Sequence, residues 1–188
     1  MRRVVLVCSL AGWALFWGPA NASAQGASPS LPAWDQKFAC GTTGPCVRFR
    51  VLSNWKSEAV LDRETGLVWQ REPATLLHAQ SVQRLGCQSN ATGDRYGWRL
   101  PTQVELMTLG DPTNVNDEFH LPGGHPFIVA VADGTEFWSS DNRPDDPTVA
   151  DAVNFRRINR DSSIAPGITQ FEGPSTFFFR AWCVRGPS

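Results

Sequence analysis

The sequence predicts an α+β fold: an antiparallel sheet carrying two helices and long polar loops. Three observations predict it. Segments of strand character fall in two groups, one before and one after a pair of helical segments, the order of an α+β domain rather than of alternating βα units. Behind an N-terminal leader of 24 residues the chain keeps 164, enough for one hydrophobic core. That stretch holds four cysteines, an even number that suits two disulfides in an exported chain.

The leader comes first. Arg2 and Arg3 give a positive start, an apolar run extends from Val4 through Trp17, and Gly18-Pro19 breaks it. Ala22-Ser23-Ala24 has the small-x-small pattern of a signal-peptidase site. The run is about 14 residues long, short of the ~20 a helix needs to span a bilayer. Residues 1–24 therefore read as a cleaved signal peptide, with an uncleaved anchor as the alternative. Cys8 follows Val7 and sits too early in the run for a lipoprotein site. Export to the periplasm or beyond the cell is expected, with no membrane span after cleavage. Of 17 Lys+Arg and 18 Asp+Glu, only Arg2 and Arg3 leave with the leader, so 15 cations face 18 anions and the net charge is −3. That balance argues against nucleic-acid binding, which rests on many cationic contacts.

Residues 25–38 are polar and contain proline, a mobile lead-in; residues 39–188 form the single domain. Within it, Val47-Arg-Phe-Arg-Val-Leu52 alternates apolar and basic residues and predicts a strand with one wet face. Between 59 and 71 two apolar runs flank Asp62-Arg-Glu-Thr-Gly66, a hairpin turn in which Gly66 is free to take a positive φ. A helix is expected from about Ala74 to Leu85. Pro73 suits its first turn, and Ala74, Leu77, Ser81, Val82 and Leu85 share a face. Gly86 fits its C-terminal cap, with Cys87 just beyond. After a Gly/Asn-rich loop at 88–97, Thr102-x-x-Glu105 is a capping box that starts a second helix, with Pro101 and Leu106 as its staple. That helix ends near Gly110-Asp111-Pro112. An irregular stretch containing Leu121-Pro-Gly-Gly-His125-Pro-Phe127 follows. Strands are then expected at 136–140, 150–155 and 177–184, separated by polar loops at 141–149 and 156–175.

Four cysteines allow three pairings. Cys40 and Cys46 bracket Gly-Thr-Thr-Gly-Pro, a turn-rich loop that can join them, which leaves Cys87 with Cys183. No C-x-x-C pair exists and the three histidines are scattered, which argues against zinc.

Four motifs occur in order: Leu61-Asp-Arg-Glu-Thr-Gly-Leu-Val-Trp69-Gln; Gly97-Trp-Arg-Leu-Pro-Thr102 with Glu105-Leu106; Phe137-Trp-Ser-Ser140; and Arg180-x-x-x-Val184-Arg-Gly186. Together, over about residues 47–187, they resemble the Lcl C-terminal domain family, named after the C-terminal domain of the Legionella collagen-like adhesin. The resemblance implies a C-type-lectin-like fold, in which a disulfide ties the first helix to the last strand; Cys87 and Cys183 occupy matching places. It also implies an adhesin-like module, since the founding member binds sulfated polysaccharides. This sequence departs from that member in lacking a collagen-like Gly-x-y region.

The expected function is thus non-enzymatic recognition of a glycan, a polyanionic polysaccharide or another cell-surface component. A protein–protein module of the bacterial envelope is the alternative. The candidate ligand-binding residues are Trp138, Asp141, Asn142, Arg143, Arg156, Arg157 and Arg160. Trp138 is a sugar-stacking candidate because a polar loop starts two residues later. Asp141, Asn142 and Arg143 belong to Ser139-Ser-Asp-Asn-Arg-Pro-Asp-Asp146, which is rich in oxygen ligands of the kind calcium takes 6–8 of. The Glu-Pro-Asn, Gln-Pro-Asp and Trp-Asn-Asp motifs of calcium-dependent lectins are absent, so no cofactor is expected and a solvated turn is the default reading. Arg156, Arg157 and Arg160 could offer guanidinium forks to sulfate or carboxylate groups. Trp69, Trp98, Arg99, Pro101, Thr102 and Glu105 read as structural, the tryptophans as core residues and Arg99 as a tie between loop carbonyls. His78, His120 and His125 have no nucleophile motif or H-E-x-x-H beside them. The fold that the resemblance implies is similar to that of formylglycine-generating enzymes, the less favoured alternative; those need reactive cysteines, and here all four are assigned to disulfides.

Overall fold

The structure, a computed structural model, describes residues 38, 40–41, 44–111, 114, 120–129, 136–155 and 169–186, with only the backbone for 169–172. The leader, most of the lead-in, and Arg156, Arg157 and Arg160 lie outside the described residues.

The first strands form where apolar residues alternate. β1 (Phe49–Val51), β2 (Ala59–Asp62) and β3 (Val68–Gln70) pair antiparallel in chain order. Register sets Val60 opposite Trp69. The turn between β2 and β3 is built by Asp62: its carboxylate accepts from the Glu64 amide at 3.0 Å and the Thr65 hydroxyl at 3.0 Å, and Gly66 takes φ +75°. The segment departs from the expected wet face at Arg48, in the turn just before β1. This side chain is buried and forked onto Asp62, at 2.8 and 2.6 Å, and it donates to the Thr108 carbonyl at 2.7 Å. A charge can be buried there because a second charge and a carbonyl meet it.

α1 (Gln80–Gln88) starts later than expected. Residues 74–79 are engaged in extended pairing with the last segment instead: Ala74 N donates to Ala181 O, and His78 and Phe179 exchange backbone bonds. Its buried residues are Gln80, Gln83 and Cys87, whereas Leu77, Val82 and Leu85 are exposed. The expected apolar face thus points outward, because the Cys87–Cys183 disulfide fixes the opposite face inward. Gln83 is accommodated there by donating to the carbonyls of Leu76 and Phe179, both at 2.8 Å. Gly86 lies inside the helix, and Ser89 is its C-cap. α2 (Gln103–Thr108) starts as expected: Thr102 Oγ1 accepts from the Glu105 amide at 3.1 Å, and Glu105 accepts from the Thr102 amide at 2.8 Å.

A second antiparallel sheet contains β4 (Glu136–Asn142), β5 (Val149–Asn154) and β6 (Thr169–Pro174). β6 falls in a stretch read as loop, since Gly173 and Pro174 are turn residues in the sequence. The expected strand at 177–184 is broken up. Only β7 (Val184–Arg185) joins a ladder, beside β3, while Phe179 and Arg180 bridge singly to His78 and Phe137. The chain here crosses from one sheet to the other.

The core has two clusters. In one, Trp182 meets Trp69, Phe127, Phe137 and Phe155 at 5.0–6.2 Å between ring centroids. In the other, Trp98 and Trp138 pack with small residues and Cys87–Cys183. Both disulfides are present, with Cα separations of 4.6 Å for Cys40–Cys46 and 5.5 Å for Cys87–Cys183. Among the described residues no helix is long and apolar enough to cross a membrane.

Candidate ligand-binding surfaces

The expected site residues of 138–146 form a frame rather than an open loop. Trp138 lies in β4, fully buried, with Nε1 donating to the His78 carbonyl at 2.9 Å and its ring 4.6 Å from that of Phe179. It is a core residue with no face for a sugar. β4 continues through Asn142, so the polar loop begins only at Arg143. Asp141 accepts from the Gln103 amide at 2.7 Å and so caps α2 as well. Asn142 Oδ1 accepts from Gln80 and Arg84 at 3.4 and 3.3 Å, and its amide donates to the Pro147 carbonyl at 3.0 Å.

At the loop tip, Arg143 forks onto Asp145 at 3.1 and 2.9 Å, which holds that carboxyl below the usual range. Asp146 is likewise lowered, by the Thr148 hydroxyl at 2.6 Å and then the Thr148 amide at 3.0 Å. The carboxylates of this stretch thus serve separate local partners. Among the described residues no group of three or more His, Cys, Asp or Glu is placed to hold a metal ion.

The motif residues hold the frame together. Arg99 meets Glu105 in a double contact of 2.8 and 2.7 Å. Burial alone would raise Glu105, but the Arg99 fork and the Thr102 amide and hydroxyl outweigh it and hold the carboxyl below its ordinary 4.5. Trp98 donates to Arg95 O at 2.7 Å and Trp182 to Gln70 O at 2.9 Å, whereas the buried Trp69 Nε1 has no partner among the described residues. His120 is buried with Nδ1 3.2 Å from Asn114 O, and His125 Nδ1 accepts from the Phe127 amide at 3.2 Å.

Two facing 3-10 turns, Ser53–Trp55 and Thr92–Asp94, make a surface that the sequence does not reveal. The three non-glycine residues with positive φ among those described all lie here: Lys56 (54°), Ser57 (60°) and Asp94 (57°). Gly93, at φ +65°, packs so close that an added Cβ would sit 2.7 Å from Trp55 Cβ. Its amide donates to Glu58 at 2.7 Å. Trp55 stands edge-on to Trp98, 6.3 Å between centroids. The guanidinium carbons of Arg95 and Arg185 lie 5.5 and 5.3 Å from the Trp55 ring. Arg185 Nε donates to Tyr96 O at 2.8 Å, Tyr96 is 72% exposed, and Lys56 pairs with Asp94 at 2.7 Å in the open. That hydrogen bond, with the charge of Asp94, raises the Lys56 pKa. Among the described residues, two shallow grooves can be outlined. One, of about 440 Å³, is lined by Phe49, Arg50 and Arg63; the other, of about 510 Å³, by Arg71, Glu72, Ser57 and Thr92. Trp55-Lys56 and Arg95-Tyr96 are adjacent aromatic–cation pairs in the sequence, the one signal that could have drawn attention to them.

A family model described as the Lcl C-terminal domain matches residues 58–185. No curated protein matches the chain, and no solved structure does.

Proposed function

The chain belongs to the Lcl C-terminal domain family, and on that premise we propose a non-enzymatic binding module, exported from the cytoplasm, that recognises a glycan or another cell-surface component. The observation that carries the reading is the family match across residues 58–185 of a chain whose four cysteines after the leader are joined in two disulfides. Disulfides persist in oxidising compartments, which agrees with an extracytoplasmic domain. The C-type-lectin-like reading is supported by the Cys87–Cys183 bridge between the first helix and the last strand. Function here is argued from a family and a surface, because fold alone does not supply it. No cofactor is part of the proposal. Glycan-array and acidic-resin binding by the purified, oxidised protein tests it: retention on at least one saccharide is expected, and retention on none would sink the glycan reading.

A second reading, a protein–protein module of the envelope, has its own support. Val82 and Leu85 on α1, with Leu76, Leu77, Phe177 and Phe178 in segments bonded to it or next to it, are 40–67% exposed apolar side chains. Exposed apolar groups gathered in one region mark interaction surfaces. Crosslinking in envelope extract, compared between the native chain and Leu85→Ser/Phe178→Ser, separates the two readings.

A further inference from the structure

We propose that the surface built around Trp55 is a ligand site: Arg95 and Arg185, beside Tyr96, take the carboxylate or sulfate groups of an acidic saccharide. This rests on the binding-module reading and adds the place.

Three features set this surface apart. The first is unneutralised charge held in place. Arg48, Arg99 and Arg143 each fork onto a carboxylate and Lys56 pairs with Asp94, but no carboxylate among the described residues pairs with Arg95 or Arg185. Each lies against the Trp55 ring, and a cation–π contact orients a guanidinium without cancelling its charge. One donor of Arg185 is engaged by Tyr96 O and one of Arg95 by Asp94 O, at 2.8 and 3.1 Å, and the other donors remain for a ligand. A planar fork matches the oxygens of a carboxylate or sulfate. The second is strain. Lys56, Ser57 and Asp94 hold left-handed backbone at about 1–3 kcal/mol each, a cost that proteins concentrate where geometry serves a site. The third is the exposed Tyr96 ring. An inorganic anion has no use for it, whereas the C–H face of a sugar ring packs against it.

The overall charge balance, 17 Lys+Arg against 18 Asp+Glu, gives the chain no general attraction for anions. A chain this close to neutral, and slightly acidic, does not gather polyanions by its general field. Acidic ligands need a local site.

The test uses the purified, oxidised protein on heparin, alginate and neutral dextran matrices, with Arg95→Gln/Arg185→Gln as the site variant. Wild type is expected on heparin, alginate or both. The variant should bind about tenfold or more weakly, as two charge-assisted contacts are lost, with an unchanged unfolding midpoint. Gly93→Ala, which forces Trp55 to move, should weaken retention as well. Four results overturn the site. If the double variant is held as tightly as wild type, or Arg143→Gln alone abolishes retention, binding lies elsewhere and the module reading stands. Retention on dextran alone also removes the site and leaves the module. Retention on none of the matrices removes the site, and the glycan reading falls with it when the glycan array is blank as well.

Discussion

At the scale of single residues, the hydrogen-bonded pairs divide into those a sequence reveals and those it hides. Thr102 and Glu105 are three residues apart, so their reciprocal bonds follow from helix geometry and are legible in the chain. Arg48 and Asp62 are fourteen apart and meet only because β1 and β2 fold together, so Arg48 reads as a wet residue until the hairpin exists. The hidden pair should carry the larger cost when broken. Asp62→Ala leaves the Arg48 guanidinium buried without its counter-charge and is expected to lower stability by about 3–5 kcal/mol in urea unfolding. Thr102→Ala, which removes one cap bond, should lower it by about 1 kcal/mol. Glu105 adds a pH dependence. Its carboxyl sits below its ordinary 4.5 in the folded state, so its stabilisation is complete above that value and is lost as the pH falls through the lower folded-state pKa. Acid unfolding of Glu105→Gln should therefore be flatter below about pH 4.5 than that of the native chain; identical acid limbs would show that Glu105 is not among the groups responsible.

At the scale of elements, α1 shows where local pattern loses to tertiary pairing. Ala74, Leu77, Val82 and Leu85 have helical spacing, yet 74–79 pair as extended chain with residues 179–181, and the helix that follows buries Gln80, Gln83 and Cys87. Amide side chains face inward because backbone carbonyls are waiting for them. No spacing rule contains that information. β6 was hidden in the same way, by turn residues at its end and a partner strand fifteen residues away at the nearest ladder pair, Asn154 to Thr169, and farther at the others. The disulfides separate by loop length. Cys87–Cys183 spans 96 residues and Cys40–Cys46 spans six. In the chain-entropy account, removing the long bridge costs about 4–5 kcal/mol and the short one about 2. Cys87→Ser/Cys183→Ser should accordingly unfold at a much lower denaturant concentration than Cys40→Ser/Cys46→Ser, and equal midpoints would contradict the loop-length account.

For the whole molecule, the proposed site is joined to the frame by the bridge that the frame depends on. Its groups come from three stretches, 53–56, 92–97 and residue 185. The last stretch is placed through Cys183, whose amide donates to Gln70 Oε1 at 3.1 Å, and through Val184, which exchanges backbone bonds with Arg99 at 2.9 Å. Arg99 in turn follows Trp98, against which Trp55 packs nearly perpendicular. This explains why the candidate residues at 139–146 were readable and the surface around Trp55 was not. A polar run is visible within a few residues, whereas Arg95 and Arg185 share a tryptophan only after β3, β7 and the disulfide have formed. It also makes a prediction that neither the charges nor the disulfide makes alone. In Cys87→Ser/Cys183→Ser, held below its own unfolding midpoint, β7 loses its covalent tie to α1 and Arg185 is no longer fixed against Trp55. Retention on the acidic resin that holds wild type should fall, while far-UV circular dichroism stays native. Cys40→Ser/Cys46→Ser, whose bridge lies outside these three stretches, should keep wild-type retention. If both pairs bind equally, the orientation of Arg185 does not depend on the long bridge.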